Sequence, residues 1–433
     1  MRLVDEKGQS VPFHLDEYSE NISRALELTF VAREVPSLGY RTFYLVPTDR
    51  PETLPPASQV TLDADADRRE PRRPMGADLV ENDFYRLSVD KPTGRVTIFD
   101  KELNRDVAKD LEVVAAEERG GNYIGIEPLS GRTIPNIIDR LGVEENNAVR
   151  TVYKIEGRIA DIPIVQRYIL YRGAKRVDLE NTVQWKGPRF VRLQQLFPYT
   201  QANARIHYGI PYGVQAADDI LPGTGPDKID EITRESWLAS RQILDWIHAG
   251  APDWGVTIAA DHQLMKLSDG VIRAEMVRGA RYTSVRVVRG QEVTSLFYPP
   301  PGRYQFRFSL SSGRGDWKTA RSWQTGMNLN SPLLPVSVVD GISRKTLPTS
   351  RSFFSLDGDN LVLSAVKKAD LDGAVVLRFY ETLGSPVRTA VEFLGQKRGV
   401  QQVNLLEQGP QPEQQVVEVG PYQIKTLKLR VGK

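Results

Sequence analysis

Cysteine is absent from all 433 residues. That excludes disulfide bridges, thiolate zinc shells and cysteine nucleophiles together. Histidine is scarce: His14, His207, His248 and His262 are the four in the chain, so imidazole chemistry has few places to sit. Neither sign of charge predominates, with 57 Lys and Arg against 55 Asp and Glu and a formal net charge of +2. This balance leaves no electrostatic footprint for nucleic acid or an anionic membrane surface. No apolar run approaches the ~20 residues that a membrane-spanning helix needs, and the opening MRLVDEKGQS has no apolar signal core. The expectation is a cytoplasmic protein with neither nucleic acid nor membrane as partner. No glycine-rich phosphate loop precedes a helical pattern, and Asp357-Gly358-Asp359 lacks the acidic spacing of a calcium loop and reads as a hairpin turn.

What the chain does have is strand text. Its length allows two to three domains at roughly 150 residues each. Tyr85, Leu87 and Val89 alternate with Arg86, Ser88 and Asp90, the two-residue period of a half-buried strand. Lys91-Pro92-Thr93-Gly94 supplies turn chemistry, and Val96 and Ile98 resume the alternation, so Glu81–Val107 reads as a β-hairpin. Further β-prone runs follow at Val149–Glu156, Ile164–Tyr171, Arg176–Trp185 and Phe190–Pro198. Dense short strands with Gly, Pro or charge between them predict a sandwich or barrel, an all-β fold. Asp230–Ile247 carries helix-compatible spacing at Ile232, Trp237, Ile243 and Trp246 and stays open between helix, loop and strand. Four segments result: a small N-terminal β unit at 1–47, a surface linker at 48–78, a large β-sandwich at 79–330 and a smaller C-terminal sandwich at 331–433. The linker assignment rests on a Pro-, Asp- and Arg-rich composition too poor in apolar area to offset its ordering entropy.

The wording of several segments carries more. Glu81-Asn82-Asp83-Phe84-Tyr85, the Gly94 turn and Asp100-Lys101 with Arg105 resemble the opening of the large β domain of glycoside hydrolase family 38, the retaining α-mannosidases. Val35-Pro36-Ser37-Leu38-Gly39-Tyr40 is similar to the small β unit before that domain. Ile164–Tyr171, Val177–Trp185, His207–Gly213, Asp253–Ile258, Asn328–Leu333, Val362–Lys368 and Ile424–Leu427 agree in the same order. The resemblance implies a many-stranded, galactose-mutarotase-like supersandwich with smaller flanking β units. It covers the family's β half and not its catalytic barrel, which supplies the nucleophilic Asp, the acid and the zinc ligands. No segment here resembles that barrel.

The chain therefore reads as the non-catalytic β half of an α-mannosidase-like hydrolase, a fragment or a subunit, with no catalytic residue, no metal ligand and no cofactor of its own. Zinc is expected only with the barrel. Partners are an α-mannoside-type carbohydrate and either a separate barrel polypeptide or further copies of this chain. The alternatives are a stand-alone carbohydrate-binding or mutarotase-like protein and a purely structural assembly subunit.

Candidate sugar contacts follow from chemistry and from the resemblance. Aromatic faces stack on pyranose C–H groups, which brings in Trp246 and Trp254 among the six tryptophans. Tyr212 sits in the Ile-Pro-Tyr-Gly turn, and Arg278 ends a strand that the resemblance directs toward the shared cleft. His262, beside Asp261, and His207 are nominal bases. His14-Leu15-Asp16 has the spacing that opens the family's zinc site, but its flanks differ and two ligands leave a zinc shell incomplete. It reads as an ordinary polar pair.

Overall fold

The computed structural model describes residues 1–20, 23–49, 54–62, 77–120, 127–187, 190–219, 240–261, 264–268, 270–279, 284–295, 299–338 and 347–430. These fall into two compact units. The smaller comprises Met1–Thr53, Pro211–Val214 and Leu334–Lys433, the larger Leu54–Ile210 and Gln215–Leu333.

Among the described residues the larger unit is built on two antiparallel sheets, one of ten strands and one of nine. The expected hairpin is present, with Tyr85–Asp90 paired to Val96–Asp100. Its alternating residues Tyr85, Leu87, Val89, Val96 and Ile98 are all fully buried. Removing side chains of this size from water contributes roughly 1.5–3 kcal/mol each, which fixes the register of the pair, since a one-residue slip would turn every one outward. The opposing sheet presents Tyr153, Ile155, Tyr168, Leu170, Leu179 and Phe308 to the same core. Phe197 and Phe308 meet edge-on across it, with ring centroids 5.3 Å apart. This is a face-to-face sandwich, as the period-two text predicts.

A polar bridge separates this core from a second apolar cluster around Ile159, Ile164, Trp185 and Leu193. Asn181, on strand Val177–Trp185, donates to Gln195 Oε1 on strand Val191–Pro198 at 2.9 Å. Gln195 Nε2 in turn donates to the carbonyl of Glu112 at 3.1 Å. These bonds favour one alignment of the two sheets, because any other breaks them and leaves Asn181 Nδ2 and Gln195 Nε2 unpaired.

Three sequence expectations need revision. The stretch 48–78 is not wholly a linker. Gln59–Thr61 pairs with Ala77–Glu81 at the edge of the ten-stranded sheet. Arg172 also donates to the carbonyls of Pro55 and Pro56 at 2.5 and 2.9 Å. Backbone pairing holds this segment although its side chains bury little. Second, the expected β architecture of 79–330 holds, but Ser322–Asn330 within it is a helix. Gly326 lets it lie against the main chain, since a Cβ there would stand 2.7 Å from Asp245 Cβ. Asn330 Nδ2 ties its end to Asp245 Oδ1 at 3.1 Å and to the carbonyl of Ala260 at 3.0 Å. In the ambiguous stretch, Ser240–Gln242 and Trp246–Gly250 are strands, and 230–239 lies outside the described residues.

Third, the N-terminal β unit and the C-terminal sandwich are one unit. Strand Gly39–Arg41 pairs with Ser350–Ser352. The approach is too close for a side chain: a Cβ on Gly39 would lie 2.0 Å from the Arg351 carbonyl oxygen. Tyr40 then donates its hydroxyl to the Pro348 carbonyl at 2.6 Å. Further along, Leu361–Lys368, Val375–Glu381, Ile424–Leu429 and Gln401–Val403 form a four-stranded sheet. Its apolar face contributes Leu377, Phe379, Leu427 and Leu429 to a core shared with Val391, Val400 and Val417.

Candidate functional site

The motif that carries the resemblance turns out to be a folding device. Asn82 Oδ1 accepts the N–H groups of Phe84 and Tyr85 at 2.9 and 2.8 Å, and Asn82 Nδ2 donates to the Tyr171 carbonyl at 3.0 Å. The Tyr85 hydroxyl accepts the N–H of Ser312 at 2.9 Å and lies 3.0 Å from its Oγ. Ser312 Oγ donates to Asp100 Oδ2 at 2.5 Å. Asp100 Oδ1 accepts the N–H groups of Glu102 and Leu103 at 2.8 and 2.9 Å. Asn82, Tyr85 and Asp100 thus tie the hairpin to the facing sheet, and burial raises the Tyr85 pKa well above the ordinary phenol value.

Two further buried acids, Asp78 and Glu381, are equally committed. Asp78 accepts the Tyr153 hydroxyl at 2.7 Å and an ion pair from Lys91 at 3.0 Å. Glu381 accepts the N–H groups of Leu383, Gly384 and Tyr422 at 2.7, 2.8 and 2.9 Å, and Asn360 Nδ2 at 2.9 Å. A carboxylate so engaged is a poor proton carrier, because moving its proton means breaking the surrounding hydrogen bonds.

Two imidazoles and three indoles gather where strands Arg205–Ile210, Trp246–Gly250 and Trp254–Ala260 meet the Ser322–Asn330 helix. His207 and His248 are cross-strand partners. Trp317 stacks on Trp246 with centroids 5.6 Å apart, lies 5.8 Å from the His207 ring and meets Trp323 edge-on at 6.4 Å. His248 Nδ1 is 2.9 Å from Thr257 Oγ1 and 3.2 Å from Ser322 Oγ, and those two hydroxyls are 2.8 Å apart. The far side of the ring fits between two glycines: a Cβ at Gly250 or Gly255 would stand 2.1 or 2.4 Å from Nε2. Burial, with the neighbouring His207 charge second, lowers the His248 pKa to about 4. Burial and then Arg205 lower that of His207. Both rings are neutral at physiological pH. His248 faces hydroxyls and glycine backbone and is 1% exposed, so it has no route to a substrate proton. The cluster is an internal joint between helix and sheet. Sequence reading missed this partnership, because Thr257 and Ser322 are unremarkable in the text.

The sugar candidates differ in exposure and in the unit that holds them. Trp246 and Trp254 are 3% and 4% exposed; their faces serve the core, and Arg105 covers the Trp254 ring at 5.1 Å. Arg278 is half-buried at the end of strand Val271–Arg278, opposite Arg192. His262 lies outside the described residues. Tyr212 belongs to the smaller unit, is exposed, and sets its ring edge-on against Tyr380 at 5.6 Å. Within the larger unit, then, Trp246 and Trp254 are enclosed and Arg278 ends a strand.

His14 Nε2 and Asp16 Oδ1 are 3.0 Å apart on hairpin strand Phe13–Glu20, a partly exposed pair that satisfies itself. Among the described residues no three His, Cys, Asp or Glu side chains group as metal ligands. The donor set does not fit a zinc shell.

Comparison with known proteins bears on the whole chain. Residues 80–283 match the glycosyl hydrolases family 38 C-terminal domain. Residues 360–427 match the glycosyl hydrolases family 38 C-terminal beta sandwich domain. No curated protein sequence matches. Among solved structures, an alpha-mannosidase from Enterococcus faecalis V583 superposes with a TM-score of 0.73 at 14% identity, over 99% of this chain and 51% of that one. A family 38 protein from Enterococcus faecalis gives 0.73 at 15% identity, over 99% and 52%. The chain spans about half the length of these structures.

Proposed function

Since the chain belongs to glycosyl hydrolase family 38 through its two C-terminal domains, we propose that it acts as the non-catalytic β half of an α-mannosidase-like hydrolase. In this reading it scaffolds a sugar cleft whose reacting groups come from a catalytic barrel on the same or another polypeptide. One observation carries the reading: almost the entire chain superposes on half of an alpha-mannosidase. The commitment of the buried acids to structural hydrogen bonds supports it, because retaining glycosidases need two carboxyl groups held ready about 5–5.5 Å apart across the bond.

In this reading the zinc ligands and the nucleophile come from the barrel. Its contribution is rigidity, and of the described side chains nominated from the sequence, Tyr212 and Arg278 are the two not enclosed in the core. Co-expression with a family 38 barrel polypeptide tests the idea through association. The expected result is a stable complex by co-purification and sedimentation. Two proteins that sediment independently at micromolar concentration would refute the proposed scaffold.

A further inference from the structure

One edge of the smaller unit holds aromatic rings in a form that folding alone does not favour, and we infer that this edge binds the apolar face of a pyranose ring. Tyr212 and Tyr422 both adopt left-handed backbone conformations, with φ of 61° and 55°. L side chains crowd the backbone there, and glycine is the favoured residue. Both positions nevertheless carry a large ring, and both rings are exposed, at 38% and 48%. Backbone strain kept beneath an exposed side chain points to use.

Both rings are also fixed in advance. Tyr212 meets Tyr380 edge-on at 5.6 Å. Tyr380 is the cross-strand partner of Ile424, which is itself 37% exposed, and Tyr422 precedes Ile424 by two residues. Tyr422 itself lies in the turn that leads into strand Ile424–Leu429. The Tyr422 N–H is held by Glu381 Oε2 at 2.9 Å. The same carboxylate holds Leu383 and Gly384, so one buried acid sets both loops. The Tyr422 ring lies over Gly384, where a Cβ would meet its hydroxyl oxygen at 2.6 Å. Rings positioned before the ligand arrives lose little entropy on binding.

Size decides between occupants. A tyrosine offers about 150–250 Å², so Tyr212, Tyr422 and Ile424 at their observed exposures present about 200–250 Å² together. A stable protein partner needs about 800 Å² on each side. One pyranose needs no more than this edge supplies, with the tyrosine hydroxyls at the rim to meet sugar hydroxyls. The choice of an α-mannoside as the sugar rests on the function proposed above; the site itself does not.

The test is saturation-transfer NMR on the full chain with methyl α-mannopyranoside and an α-linked mannobiose. Transfer from aromatic protons is expected, with affinity about tenfold weaker in Tyr212→Gly and in Tyr422→Gly. Both glycine variants remove ring and backbone strain together, so their Tm should equal or exceed that of the parent. Tyr422→Trp should retain binding, and Tyr422→Leu, apolar but not flat, should lose it. Any of four results would overturn the inference. These are no transfer at about 10 mM sugar, transfer that survives both glycine substitutions, equal binding by the Trp and Leu variants, or a dimer that Tyr422→Gly dissolves. Association of these same variants with a barrel polypeptide reports on the proposed function separately.

Discussion

Replacing Glu381 by alanine removes the acceptor for three backbone N–H groups and one amide. Leu383, Gly384, Tyr422 and Asn360 all donate to it over 2.7–2.9 Å, and the residue is fully buried. Each donor left unpaired costs about 1–3 kcal/mol. Asn360 keeps a second bond to the Ser385 carbonyl at 3.0 Å, and Tyr422 lies near enough to the surface for water to replace part of its loss. The net destabilisation of the smaller unit should be about 4 kcal/mol. For a unit of this size that lowers Tm by about 10 °C. Glu381→Gln keeps one carbonyl oxygen but turns an NH2 toward N–H donors, so about half that loss is expected. Calorimetry and urea titration of the parent and both variants give the numbers. A loss below about 1 kcal/mol for Glu381→Ala would refute the claim that this carboxylate holds the two loops.

Three other predictions follow from the larger unit. His248 has a folded-state pKa of about 4, below its unfolded value of about 6.5, so the unfolded chain binds more protons between these limits. Its contribution is fully present above pH ~6.5 and is lost as pH falls toward 4, by about 3 kcal/mol. His248→Gln should flatten this slope in urea midpoints measured across that range, and an unchanged slope would contradict the buried, neutral ring. Gly255→Ala drives a methyl to 2.4 Å from His248 Nε2 and should cost more than about 2 kcal/mol. His248→Ala should partly suppress that cost, with a double-mutant coupling above about 1 kcal/mol by chemical denaturation. Tyr85→Phe strands the Ser312 N–H, now 2.9 Å from the phenol oxygen, and should cost about 2 kcal/mol. A loss within about 0.5 kcal/mol would mean that water or a neighbouring oxygen takes over.

The sheets were readable because burial on one face imposes a period of two. Tyr85, Leu87, Val89, Val96 and Ile98 alternate in the text and are all buried in the structure. The linker was misjudged in part because backbone pairing, as at Gln59–Thr61, leaves no compositional mark. The Ser322–Asn330 helix was missed for a related reason. It is held by Gly326 against Asp245 and by Asn330, contacts distant in sequence that its weak apolar period does not announce.

The union of 1–47 with the C-terminal sandwich was invisible apart from one sign. Gly39 stands where only a glycine tolerates the Arg351 carbonyl. Side-chain types could nominate Trp246 and Trp254 as sugar platforms. Only packing could show that both are enclosed while Tyr212 is not. The histidine partnership illustrates the same limit: His207 and His248 lie 41 positions apart in the text, and strand register makes them neighbours.

The central claim, that this chain supports catalysis without performing it, is tested most directly by the hydrolysis rate of a 4-nitrophenyl α-mannoside. The rate is measured with the purified chain alone, with a family 38 barrel polypeptide alone, and with both together. The account predicts no turnover from the chain alone and a rate for the mixture well above that of the barrel alone, saturating as the chain is titrated. Turnover by the purified chain that persists after chelation and through substitution of Asp100 and Glu381, or a barrel rate indifferent to the chain, would contradict it.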